Sequence, residues 1–251
     1  MKKLILLLTI VSCSSVGNKI PADYSRQYNY QDVSGSFHIA REKKTVNKKV
    51  VTRLIMSSPD RTKLFEKSIM LSQPGSVAAK GKKRTNTFRP VASDYEVWLD
   101  GKLQRSSLRI DLKNKSMKAT VIRAGVERKT QNIKFPRHQQ FCFFNQIAEC
   151  LSYNGILATV LSTPQARDFI VVWDNWPYHQ EMLSGVTSEL FTPATVRYEG
   201  KDKEGHRVAV DISGQLILYH FSESNELKKM AWMSQGISLT PIGQEISKEM
   251  E

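Results

Sequence analysis

Apolar and polar residues alternate with a period of two along most of this chain. Leu108, Ile110 and Leu112 are separated by Arg109, Asp111 and Lys113. Val208, Val210 and Ile212 interleave with Arg207, Ala209 and Asp211, and Tyr95, Val97 and Leu99 with Glu96, Trp98 and Asp100. A strand with that period turns one set toward a core and the other outward. Short turn sequences divide these runs: Asp100-Gly101, Asn114-Lys115-Ser116, Lys203-Glu204-Gly205, Ser213-Gly214 and Ser224-Asn225-Glu226. Residues of these types reach the positive φ that tight hairpins require. Strands joined so closely are antiparallel neighbours. The expected fold is mainly β, a curved antiparallel meander of about ten strands, because a twisted sheet of that size curls.

One segment breaks the period. In residues 137–151 (RHQQFCFFNQIAECL), Phe144, Ile147, Ala148 and Leu151 recur at helical spacing, with Pro136 just ahead. The pattern predicts one amphipathic helix packed on the sheet. A second, short helical turn is expected near residues 163–167. Cys142 and Cys150 both fall in the first segment, and two rules collide there. Eight residues of continuous helix separate Cα atoms by ~12 Å, whereas a disulfide needs them within ~7 Å. Either the helix breaks near Asn145-Gln146 and the pair is bonded, or both are buried thiols.

The first residues follow a different plan. Lys2 and Lys3 precede LILLLTIV, a run that is apolar except for Thr9, and then Ser12 and Cys13. A bilayer span needs ~20 apolar residues, so this run is too short to cross. Charged start, short apolar core and small residue before a cut are the layout of a secretory signal. The window Ile10-Val11-Ser12-Cys13 resembles the bacterial lipoprotein signal. That resemblance implies cleavage before Cys13, a diacylglycerol on its thiol and an acylated amino terminus. Ser14 after the Cys then implies the outer membrane where the cell has one. A plain cleaved signal with an incidental Cys13 is the alternative. The expected organisation is a signal peptide over residues 1–12, a lipid-anchored tether over 13–34 and one β-rich half-barrel domain over 35–251.

Composition adds a bias toward anionic partners, with 37 Lys and Arg against 24 Asp and Glu in 251 residues and a net charge of +13. The basic residues are spread over strands and loops, and no zinc-finger, helix-turn-helix or RNA-binding motif accompanies them, so nucleic acid is not an expected partner. The five histidines are dispersed, without metal-ligand spacing, and no nucleophile elbow or phosphate-binding glycine loop is present. No cofactor, metal site or catalytic residue is expected. The richest stretch is Phe169–Tyr178 (FIVVWDNWPY). Trp173 and Trp176 there, with Trp98 and Trp232 on other strands, either close the core or line a concave apolar surface for an acyl chain or sugar ring.

A lipoprotein-type start, a long antiparallel meander and one helix against it resemble the half-barrel group of envelope proteins that includes the lipoprotein carrier and the outer-membrane lipoprotein receptor of the Lol system. The closing strands (VRYEG, HRVAVDI, LILYHF, KKMAWM) carry the likeness. It implies a curved sheet whose concave face shelters a lipid or a lipidated partner. A scaffold lipoprotein without a small ligand is the second expectation, and a hydrolase of envelope material the third. The membrane-anchor reading has a direct test. Cys13→Ala should abolish incorporation of radiolabelled palmitate and release the protein from membranes; persistent labelling would overturn it.

Overall fold

The computed structural model describes residues 23–77, 85–123, 128–135, 140–163 and 165–242. Cys13 and the signal-like segment lie outside the described residues. The described residues form one open sheet of fifteen strands. A first meander comprises β1 (Tyr24–Asp32), β2 (Gly35–Val46), β3 (Lys49–Ser57), β4 (Leu64–Val77), β5 (Thr85–Leu99), β6 (Lys102–Asp111), β7 (Ser116–Ile122) and β8 (Lys129–Lys134). Then come β9 (Phe141–Phe143), a 3-10 turn (Phe144–Gln146), α1 (Ile147–Tyr153) and α2 (Ile156–Ser162). After β10 (Arg167–Val172) and the short α3 (His179–Met182), a second meander runs through β11 (Phe191–Asp202), β12 (Gly205–Ile212), β13 (Gln215–Phe221), β14 (Leu227–Trp232) and β15 (Ile237–Pro241).

The spatial order runs from β8 down to β1, then from β15 down to β9. The first and last strands therefore meet in mid-sheet, with Tyr28 opposite Pro241 and Tyr30 opposite Leu239. The strand ends β8 and β9 remain unpaired with each other, so the sheet is a half-barrel and not a closed barrel. The strand total exceeds the expected ten, and one of the additional strands is β1, which occupies residues expected to be tether. Its polar appearance reflects a strand with one solvated face, where Ser25, Gln27 and Asn29 alternate with the buried Tyr28.

The expected hairpins form. Asp100-Gly101 joins β5 to β6 with φ of 50° and 73°, and Ser213-Gly214 joins β12 to β13 with 52° and 86°. Two positive φ values twist a two-residue turn in the sense the flanking strands need.

β9 and β10 are the one parallel pair among the described strands. A parallel pair requires a crossover, and the residues between them supply it as the 3-10 turn, α1 and α2. The helix expected over 137–151 is thus corrected: within the described residues it starts at Ile147. Phe141, Cys142 and Phe143 are apolar in succession because β9 is buried on both faces, a pattern that periodicity does not separate from a helix. The turn expected near residues 163–167 is replaced by the earlier α2, and Arg167 opens β10. Gly155, at φ 85°, separates α1 from α2. With Cys142 on a strand and Cys150 on α1, the Cα atoms lie 5.6 Å apart and a disulfide joins them.

Gly205 opens β12 at φ 136°, and a Cβ there would meet the Phe221 carbonyl oxygen at 2.0 Å. Gly214 has a positive φ but open space around it. Gly205→Ala should therefore cost more than ~2 kcal/mol in urea denaturation, and Gly214→Ala about 1 kcal/mol. Equal effects at the two sites would contradict the packing.

Candidate functional site

The inward faces of the two meanders differ in chemistry. From β11 to β15 the inward residues are apolar: Val196, Val208, Val210, Ile217, Phe221 and Leu239 are all buried. From β3 to β5 the inward set includes Thr52, Glu66, Ser68, Ser72 and Ser93, also buried. The crossover packs between them.

Its polar side is fixed by hydrogen bonds. The Ser93 and Ser68 hydroxyls donate to Asp174 Oδ2 at 2.8 and 3.1 Å, and the Asn145 backbone N–H donates to Oδ1 at 3.1 Å. Gln146 Nε2 donates to Ser68 Oγ at 3.1 Å, and Thr52 Oγ1 donates to Gln146 Oε1. The turn after β10 is held in turn by Tyr178, whose hydroxyl donates to the Ile122 carbonyl at 3.1 Å. The apolar side rests on aromatics. The Phe144 ring lies 4.2 Å from Trp173 and 5.7 Å from Trp232, centroid to centroid.

Between the crossover and the sheet is a cavity of about 100 Å³, open on one side. Ile39, Leu54 and Met56 wall it from the first meander, Ile217, Leu239 and Trp232 from the second, and Phe144, Ile147 and Ala148 from the crossover. Four residues lining it carry a buried polar atom with no partner among the described residues: Arg41 Nε, Asn145 Nδ2, Asn175 Oδ1 and Trp232 Nε1. Each such atom costs roughly 1–3 kcal/mol when left unpaired.

Glu66 also lines the cavity. Burial raises its pKa from 4.5 to about 8, and the nearby Asp174 charge pushes the same way. Asp174 is itself raised by burial, although its three donors oppose the shift. Burial therefore favours the protonated form of Glu66, and a hydrogen bond with Tyr95 opposes that shift only in part.

The four tryptophans do not share one surface. Trp232 lines the cavity, and Trp173 packs directly behind Phe144 with Nε1 donating to Thr192 Oγ1 at 2.8 Å. Trp176 is half-buried in a separate cavity of about 390 Å³ beside Arg123 and Lys129. Trp98 is placed by strand alternation on the outer face with Glu96, opposite to Val97, so it is removed from the expected concave surface. The buried Cys142–Cys150 disulfide ties β9 to α1 of the crossover, and Asn154 Nδ2 contacts both sulfurs at 3.3 Å. Sequence reasoning missed Arg41, Glu66, Asn145 and Asn175. For Glu66 the available signal was the polar residues Glu66, Ser68 and Ser72 recurring at alternate positions of β4.

Among the described residues no cluster of three or more His, Cys, Asp or Glu side chains could hold a metal ion. No helix there is long and apolar enough to cross a membrane. No protein-family model, curated protein or solved structure matches this chain.

The Glu66 shift makes stability depend on pH. A carboxyl with a raised folded pKa holds its proton between pH 4.5 and about 8, where the unfolded chain has lost it. Folding stability should therefore fall by roughly 3–5 kcal/mol across that window, from this group alone. Urea denaturation between pH 5 and 8.5 should show this slope, and Glu66→Gln should flatten it. An unchanged slope in the variant would refute the assignment.

Proposed function

We propose that this protein is a lipid-anchored half-barrel of the cell envelope that shelters an apolar ligand, or the acyl chain of a lipidated partner, against its concave face. Anchoring falls to Cys13, at the outer membrane where there is one, and the half-barrel does no covalent chemistry. The observation that carries this reading is the cavity between crossover and sheet, walled mainly by apolar side chains from both meanders and the crossover. Its size limits the cargo. An apolar cavity of about 150 Å³ takes one benzene, so about 100 Å³ receives only a few methylene groups. A longer chain requires the crossover to give way, which on the side of the second meander is opposed by the Ser152 Oγ donation to the Asn225 carbonyl at 2.7 Å and by the Cys142–Cys150 link to β9.

A scaffold role without small ligand is the second reading. It is favoured by how completely the crossover fills the interior, and by Leu216 and Leu218, exposed side by side on the outer face of β13.

The test is native mass spectrometry of the Cys13→Ala chain purified without detergent. A lipid adduct released on denaturation is expected, and Ile217→Trp, which fills the cavity, should reduce it while preserving the fold. Adduct-free protein that also fails to bind added fatty acid would overturn the ligand reading and leave the scaffold one.

A further inference from the structure

We propose that a second cavity beside Lys43 binds the anionic head group of an amphiphile whose tail enters the central cavity, which makes the cargo an anionic lipid. The tail half of this statement rests on the function proposed above; the head-group half stands on its own residues.

Lys43 projects inward from β2 and is 2% exposed. Its ammonium lies between two tyrosine rings, 5.0 Å from the centroid of Tyr24 and 5.3 Å from that of Tyr153. The nearby carboxylates of the cavity wall are already matched. Glu149 takes Arg41 Nη1 on both oxygens, at 2.5 and 2.6 Å, and Glu226 takes Arg26. Lys43 makes no ion pair among the described residues. A buried ammonium packed against ring faces, with carboxylates nearby but none at ion-pair distance, is an incompletely compensated charge, and an anion within reach would complete it. Burial lowers its pKa, and the more distant Asp23 and Glu226 oppose that shift only in part.

Space for the anion is present. A cavity of about 320 Å³ is lined by Tyr24, Lys43, Ser152, Tyr153, Asn225 and Glu226. It adjoins the central cavity: Ala148 and Leu227 line both. The Arg41–Glu149 pair stands at the same boundary, with Arg41 lining one side and Glu149 the other. Head group and tail therefore have adjoining compartments of matching polarity, separated by two small or flexible apolar walls and one ion pair. A carboxylate and a phosphate ester present the same chemistry to Lys43, and so does a free anion.

Binding of three probes to the full Cys13→Ala chain, measured by calorimetry, separates these cases: sodium oleate, oleyl alcohol and inorganic phosphate. Oleate should bind at least tenfold more tightly than the alcohol, and Lys43→Gln should bring the two together without weakening the alcohol. Equal binding of both lipids to the wild type, unchanged in Lys43→Gln, would overturn the head-group site and leave the apolar cavity standing. Phosphate binding that Lys43→Gln abolishes, with neither lipid bound, would overturn the amphiphile and keep a site for free anions. No binding by any probe would overturn both. A second measurement needs no variant. Oleate, and not oleyl alcohol, should protect Lys43 from reductive methylation followed by peptide mass spectrometry, and absence of that protection would count against the site even if Lys43→Gln fails to fold.

Discussion

The interior depends on a buried carboxylate that has no cation. Asp174 is fully enclosed, and among the described residues it makes no ion pair. Two serine hydroxyls from neighbouring strands and one backbone N–H carry it instead. Such groups are tolerated in a low-dielectric interior only when their lone pairs are filled. The requirement is geometric: β4, β5 and the start of the 3-10 turn must all be in place together. The carboxylate thereby sets the position of the crossover, and the crossover sets the shape of everything enclosed by the sheet. Burial raises the pKa of Glu66 beside it, and Asp174 pushes that shift the same way.

The crossover sits between unlike walls. Hydrogen bonds to the first meander are directional and fix its register. On the other side the crossover packs in one apolar cluster with Val208, Val210 and Ile217, and is tied there by the Ser152–Asn225 hydrogen bond and the disulfide to β9. The central cavity lies where these regimes meet, walled by Ile39 and Leu54 from one meander and Ile217 and Leu239 from the other.

The sheet class was legible in the sequence because most strands obey the two-residue period and most turns carry residues suited to positive φ. The interior was not. In β4 the pattern is inverted: Phe65, Ile69 and Leu71 lie on the outer side, half-covered, while Glu66, Ser68 and Ser72 point inward. Phe65 is sheltered by an edge-to-face contact with Phe37, 5.4 Å between centroids, which lets it leave the core. Polar residues inside a sheet are paired with a segment far away in the chain, and Ser68 and Asp174 stand 106 residues apart. No local period encodes that partnership. Trp98 failed for the opposite reason, since a large aromatic side chain satisfies either face of a strand. Cys142 and Cys150 came close to being resolved: the break needed near Asn145-Gln146 is the 3-10 turn, and what remained hidden was that Cys142 precedes the helix on a doubly buried strand.

The seam between β1 and β15 has a consequence for how the molecule is made. Tyr28 donates to the carbonyl of Leu227, 199 residues away, and β1 pairs with a strand at the far end of the fold. While the chain emerges from a ribosome or a translocation pore, the first meander can zip together, but its β1 edge stays open until the last described strand is delivered. An open edge of that kind invites pairing with the wrong chain. The polar outward residues Ser25, Gln27 and Asn29 keep that waiting edge soluble, and β15 acts as the clasp whose arrival ends the vulnerable interval.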